Sequence, residues 1–133
     1  MERYPAAEAH YLMGVIQLDQ GEPAAAEESL KKAVRARVDY GEALYQLGRL
    51  YQQQGRDQDA ITELNLAVES RSLGAGSRRE AHYRLTQLHL RTRQYDAALE
   101  HGRIAKRLGS ADVDPLLVEL AKLAPEPAAA KPR

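Results

Sequence analysis

AEAHYLMGVIQLDQGEPAAAEESLKKAVRARVDY, residues 7–40, runs directly into GEALYQLGRLYQQQGRDQDAITELNLAVESRSLG, residues 41–74. Laid one over the other, the two stretches agree at a single offset of 34 residues (41 − 7). Ala9 falls on Ala43, Gly14 on Gly48, Gly21 on Gly55 and Ala26 on Ala60. Leu30 falls on Leu64, Ala33 on Ala67 and Val34 on Val68. The residues that repeat are small or aliphatic, as closely packed helices require. A self-match at a period of roughly 20–50 residues marks a stacked repeat array, and such arrays work by presenting long binding surfaces.

The pattern within each copy is helical. Residues 6–20 are apolar on nearly every side, as in a helix packed on more than one face. Gly21 stops this segment, and Pro23 suits the first turn of the next, where a missing N–H costs nothing. In residues 24–37, Ala26, Leu30, Ala33 and Val34 form one stripe at helical spacing. Glu27, Glu28, Lys31 and Lys32 are expected to face water as favourable i,i+4 pairs. The second copy repeats the plan over residues 42–54 and 58–70, and Ser72-Leu73-Gly74-Ala75-Gly76-Ser77 reads as a flexible linker.

A more divergent third copy starts at Arg79, 38 residues after Gly41 (79 − 41), so four residues are inserted at the preceding turn. Ala81, Leu85, Leu88, Tyr95, Ala98, Leu99 and Ala105 keep the register. Thr86 and Arg93 stand where the earlier copies have glycine. Thr86 is expected to loosen the helix crossing, and Arg93 to make the turn less sharply left-handed. Asp114 and Pro115 suit the start of one more helix, residues 114–124, whose Leu116, Leu117, Leu120 and Leu123 would cap the array. Residues 125–133 are Pro/Ala-rich and expected to be disordered.

These units resemble the tetratricopeptide repeat. The resemblance rests on Ala7-Glu8-Ala9-His10 with Gly14, Gly21 and Ala26. It continues in Glu42-Ala43-Leu44, Leu47-Gly48, Tyr51, Gly55, Ala60, Leu64 and Ala67, and in Ala81, Leu85, Tyr95, Ala98 and Ala105. It covers residues 7–108. His10 and His82 depart from the family's preferred Trp, and the proline that usually closes a unit is missing from all three. The resemblance implies an all-α domain, residues 7–124, of three helix-turn-helix repeats (7–40, 41–74 and 79–110) plus a capping helix. It implies a right-handed superhelical α-solenoid whose first helices line a concave groove.

That groove would be lined by Tyr11 and Val15 of the first unit, with Glu8, Leu12, Leu18 and Asp19 beside them. The second unit would contribute Glu42, Tyr45, Gln46, Arg49, Gln52 and Gln53, and the third Tyr83, Arg84, Gln87 and Arg91, with Glu80 and Leu90. Tyr11, Tyr45 and Tyr83 share one register and would form a ladder, and tyrosine combines apolar area with a polar tip. Arg49, Arg84 and Arg91 among glutamines suit a carboxylate or peptide backbone. Some family members grip a C-terminal carboxylate with a clamp of two Lys, two Asn and one Arg. The corresponding places here are Tyr11, Val15, Gln46, Glu80 and Arg84, so that clamp is not expected.

The first unit also has an open edge. Ala43 with Leu50 and Ala81 with Leu88 should pack back onto the preceding unit, whereas Ala9 and Ile16 have none to meet. Tyr4-Pro5 looks like the tail of an upstream unit. Either the chain was cut from a longer protein, or Ala9 and Ile16 lie in a self-association edge that makes a homo-oligomer.

Chemistry other than binding finds no footing. The 133 residues carry 19 basic and 19 acidic side chains and no cysteine, which excludes disulfides and thiolate metal sites. No two of His10, His82, His89 and His101 are spaced i,i+4, and three fall at seam positions where packing is expected. Gly74-Ala75-Gly76 lacks the lysine and preceding strand of a phosphate loop. No nucleophile–base pair is visible, so no enzyme, cofactor or metal is expected. Residues 1–73 hold 8 basic and 12 acidic groups, net −4; residues 74–133 hold 11 and 7, net +4. No aromatic–basic motif accompanies the positive half, so a protein or peptide partner is expected rather than nucleic acid. Complementary halves also favour head-to-tail self-association. No apolar run approaches the roughly 18 residues of a membrane span. The start lacks a signal peptide's apolar core, so the cytoplasm is the expected compartment, or the periplasm or another if the chain is an excised fragment. A scaffold or adaptor role follows, with a structural segment of a longer array as the alternative.

Overall fold

The computed structural model describes residues 4–123. These form seven helices: α1 Pro5–Asp19, α2 Pro23–Ala36, α3 Gly41–Gln53, α4 Asp57–Glu69, α5 Ala75–Arg91, α6 Tyr95–Arg107 and α7 Asp114–Leu123. Among the described residues there is no strand. Helices pair as α1/α2, α3/α4 and α5/α6, and the pairs stack through α2 on α3, α4 on α5 and α6 on α7. Leu30, Leu44, Leu47, Leu64, Leu85 and Leu88 belong to one buried core running through all three pairs.

The turn inside each pair is set by one left-handed residue. Gly21 has φ 74°, Gly55 has φ 75° and Arg93 has φ 62°. In each case the following amide donates back to a carbonyl five residues earlier: Glu22 to Gln17 at 2.9 Å, Arg56 to Tyr51 at 2.9 Å and Gln94 to His89 at 2.8 Å. This closure satisfies helix-terminal carbonyls and requires the left-handed residue. Arg93 therefore does not relax the turn, contrary to the expectation from sequence. It adopts the glycine conformation at a cost of about 1–2 kcal/mol.

Within the first two pairs the contact is glycine against leucine. A Cβ on Gly14 would lie 2.8 Å from Leu30 Cγ, and one on Gly48 only 2.5 Å from Leu64 Cγ. In the third pair the sizes are exchanged. Thr86 replaces the glycine, and Gly102 stands where Leu64 stands in the second unit (64 + 38). Thr86 is fully buried, and its hydroxyl donates to the His82 carbonyl at 2.8 Å. The space beside Gly102 is taken by α7, because a Cβ there would lie 2.7 Å from Leu117 Cδ2. Thr86 packs against Gly102, its Cγ2 3.4 Å from a Cβ placed there, and the space left beside Gly102 seats the last helix.

The expected linker at residues 72–77 is ordered. Helix α5 begins at Ala75, Leu73 is buried, and the hydroxyls of Ser70 and Ser72 donate to the Asp39 carbonyl at 2.6 and 3.1 Å. Ser72 Oγ also accepts the Gly41 amide at 2.9 Å. The Arg78 guanidinium reaches back to the carbonyls of Val68, Ser70 (2.9 Å) and Leu73 (3.2 Å). The four inserted residues thus form a hydrogen-bonded corner rather than a flexible link. Helix α7 starts at Asp114, whose carboxylate accepts Lys106 Nζ at 2.6 Å. The Pro/Ala-rich tail, 125–133, and residue 124 of the expected capping helix lie outside the described residues.

Glu27, expected in water, joins three elements. Its carboxylate accepts Tyr51 Oη at 3.1 Å and pairs with Lys31 at 3.0 Å and Arg56 at 3.2 Å. Arg56 also lies 4.1 Å from the Tyr51 ring centroid. Burial pushes the Glu27 carboxyl up, but the hydrogen bonds from Lys31 and Tyr51 outweigh it and hold the pKa down.

Three histidines meet between α5 and α6. His82 Nδ1 and His101 Nδ1 are 3.0 Å apart, and the His89 ring stacks on His101 at 5.4 Å and 4°. His89 Nδ1 is tied to Gln94 Oε1 at 2.7 Å. Burial, the neighbouring His101, and the charges of Arg78 and Arg107 push His82 down to about 4. Burial and His89 also lower His101, against an opposing pull from Glu100. Among the described residues no group of three His, Cys, Asp or Glu is arranged to hold a metal ion; the stacked rings do not converge on one point.

Two outcomes check this packing. Gly48→Ala is expected to lower stability by about 1–2 kcal/mol in urea unfolding, since overpacking against Leu64 exceeds the gain of about 1 kcal/mol in helix propensity. Gly76→Ala, where nothing lies within 4 Å of an added Cβ, should show the opposite sign. The histidines give a pH dependence. The folded pKa values of His82 and His101 lie below the unfolded value, so the unfolded chain binds protons more readily. Their contribution is intact above about pH 6.5 and is lost as pH falls toward 4. The thermal midpoint should drop across that window, and His82→Gln should flatten the drop.

Candidate partner-binding groove

The first helix of each pair, α1, α3 and α5, contributes to one inner face of the stack. Side-chain hydrogen bonds join its residues across the units. Tyr11 is half-buried, with its ring 5.2 Å from that of Tyr40. Its hydroxyl interacts with Gln46, and burial raises its pKa. Gln46 Oε1 accepts Arg49 Nη1 at 3.2 Å. One unit further, Tyr45 is hydrogen-bonded to Arg84, and burial raises its pKa as well. Arg84 Nη1 donates to Gln52 Oε1 at 2.9 Å, and Gln52 Nε2 donates to Gln87 Oε1 at 3.1 Å. Gln87 Nε2 in turn donates to Tyr83 Oη at 3.1 Å.

The tyrosines share a register, but they do not stand free. Tyr45 is only 7% exposed, so it supports the face from below and offers little contact area. Glu42 is also committed elsewhere. Its two carboxylate oxygens accept the Gly74 amide and the Ser77 hydroxyl, both at 3.0 Å, which fixes the start of α5. Arg91 Nε lies 3.1 Å from Asp57 Oδ2.

Two donors on this face are enclosed and unsatisfied. Arg49 Nε and Arg84 Nε are shielded from solvent, and neither has a hydrogen-bond acceptor. Arg84 Nε lies 3.3 Å from Glu80 Oε2, an ion pair without hydrogen-bond alignment. A buried donor left unpaired costs about 1–3 kcal/mol, so both N–H groups would gain from an incoming acceptor.

Two openings lie along the face. One, of about 190 Å³, sits between α1 and α3 and is lined by Val15, Leu18, Asp19, Gln46, Arg49 and Gln53. The other, of about 490 Å³, is bounded by α3, α5, α6 and α7 and includes Gln52, Gln87, Leu90 and Arg91. Its remaining lining was not anticipated from sequence: Arg93, Tyr95, Leu116, Glu119 and Leu123. Those residues come from a turn, a second helix and the last helix, whereas the sequence register speaks only for first helices. Ala9 and Ile16 lie away from both openings, on the exposed side of α1.

Among the described residues no helix is long and apolar enough to cross a membrane. A search of the curated proteins returns no match. Among solved structures, the chain is similar to that of Pseudomonas aeruginosa pilF, with 23% identity and a TM-score of 0.76 over 89% of this chain. It spans about half, 54%, of that protein's length. Two structures of MamA are also similar. One shares 25% identity over 90% of this chain and 75% of its own, and the other 25% over 88% and 68%; both have a TM-score of 0.69. The sequence profile of the tetratricopeptide repeat, a protein-interaction fold that is generally not catalytic, matches residues 2–37, 11–78 and 45–113. Those matches run across all three helix pairs, and the chain belongs to the tetratricopeptide repeat family.

Proposed function

We propose that this chain holds an extended segment of a partner protein along the face formed by α1, α3 and α5, as an adaptor or scaffold. The observation that carries the reading is the pair of enclosed, acceptorless donors, Arg49 Nε and Arg84 Nε. Carbonyl or carboxylate oxygens of a bound segment would satisfy them with charge-assisted hydrogen bonds. The glutamines around them are already oriented by mutual hydrogen bonds, which lowers the ordering cost of binding. Concave repeat surfaces are the usual contact face of such arrays, and family membership supports protein partners.

A second reading rests on α1. Ala9, Leu12, Met13 and Ile16 stand at i, i+3, i+4 and i+7, and the last three are each about half exposed, at 51%, 49% and 49%. The register mates of Ala9, Met13 and Ile16 are covered, Ala43, Leu47 and Leu50 by the first pair and Ala81, Leu85 and Leu88 by the second, whereas Leu12 corresponds to Gln46 and Arg84. A contiguous apolar stripe of this kind is an interaction surface. It would suit self-association or stacking of a further helical unit.

The two readings separate by experiment. In affinity capture from cell extract, an Arg49→Ala/Gln87→Ala variant should retain about tenfold less of the partner seen with the native chain, roughly 1.4 kcal/mol. A Leu66→Ser variant on the outer surface should retain it fully; equal loss in both variants would defeat the groove reading. In sedimentation velocity, self-association through α1 predicts a coefficient that rises with concentration and becomes flat for Ile16→Glu. A flat profile for the native chain rules out self-association.

A further inference from the structure

Arg93 is at odds with its own backbone. The two equivalent turns carry Gly21 and Gly55, each with open space around an added Cβ, so packing does not demand an arginine there. Yet Arg93 keeps φ at 62°, where L side chains are strained and glycine is not. Strain retained by a side chain points to a role for that side chain. The Arg93 side chain lines the larger opening of the groove, together with Leu90, Tyr95, Leu116 and Leu123. Arg91, nearby, is neutralised by Asp57 at 3.1 Å. Glu119 also lines the opening, but among the described residues Arg93 forms no ion pair with it or with any other acid. An exposed cation without an ion pair among the described residues therefore lines an opening of about 490 Å³ whose wall combines leucines with polar side chains.

We propose that this end of the groove is a subsite for a bulky apolar side chain flanked by a carboxylate on an extended peptide. The apolar side chain enters among Leu90, Leu116 and Leu123, and Arg93 pairs with the carboxylate. Leu123 is 46% exposed, so the seat gains by covering surface that is now in water. The guanidinium pairs with a carboxylate through two parallel hydrogen bonds. Helix α7 is then more than a cap, since Leu116 and Leu123 supply one wall of the subsite. This inference rests on the groove reading and adds the chemistry of the ligand.

The test uses the full chain and two fluorescein-labelled hexapeptides, followed by fluorescence anisotropy. One peptide carries a central leucine flanked by aspartates; in the other, asparagines replace the aspartates. The acidic peptide should bind about fivefold or more tightly than the neutral one. Arg93→Gly should lose that preference while its thermal midpoint rises, because the turn is relieved of strain; the loss then cannot be unfolding. Arg93→Lys should keep part of the preference, and Leu116→Ser should weaken both peptides. Undiminished preference in Arg93→Gly overturns the subsite, as does no binding of either peptide at about 1 mM. If Arg49→Ala weakens the acidic peptide and Arg93→Gly does not, the subsite falls while the groove reading stands. If Arg93→Gly alone weakens it, the subsite holds without the far end of the groove.

Discussion

Leu64 lies over Gly48 so closely that a single added carbon on the glycine would collide with the leucine branch point. That approach, repeated between Gly14 and Leu30, sets how near the two helices of a unit can run. Everything beyond it follows from the spacing. Close pairs leave their second helices free to receive the next unit, so α2 meets α3 and α4 meets α5. The first helices then contribute to one continuous face. The third unit meets the same constraint with the sizes reversed, Thr86 against Gly102, and the vacancy beside Gly102 accepts Leu117. The exchange of bulk between partners therefore makes the seat for the final helix.

Charged side chains that a helical wheel assigns to water do much of the joining between units. Glu27 binds Tyr51 and Arg56 across a unit boundary. Glu42 fixes the start of α5, and Arg78 gathers the carbonyls of the preceding corner. Each gives a helix end or an interior hydroxyl a partner it would otherwise lack. With these groups committed, Arg49 and Arg84 each keep one enclosed Nε–H without an acceptor. Arg49 and Arg84 lie on the inner face, and Arg93 lines the opening at its C-terminal end. Their spread from α3 through the α5–α6 turn means that a ligand contacting all three must run along the face rather than sit at one point.

The two ends of the stack differ for a physical reason. At the C-terminal end α7 covers α6 and takes Leu117 into the gap beside Gly102. At the N-terminal end α1 keeps the apolar register of α3 and α5 with nothing in the described residues over it. Met13 and Ile16 remain half in water for want of a neighbour, whereas their register mates Leu47, Leu50, Leu85 and Leu88 are buried.

The sequence by itself determined what is local and periodic. The 34-residue repeat, the proline starts, the glycine turns of the first two units and their small-residue seam are consequences of backbone geometry at short range, and all are present in the structure. Which positions on α1, α3 and α5 are equivalent was also legible as a register. Tertiary structure alone decided how those side chains are spent. Tyr45 sinks beneath the face, Glu42 is drawn to the start of α5, and His82, His89 and His101 meet through an antiparallel pairing that no linear spacing announces. Arg93 is left-handed because Gln94 must close onto His89, a hydrogen bond that overrides local preference. Periodicity specifies which residues face inward; only packing specifies which atoms they meet.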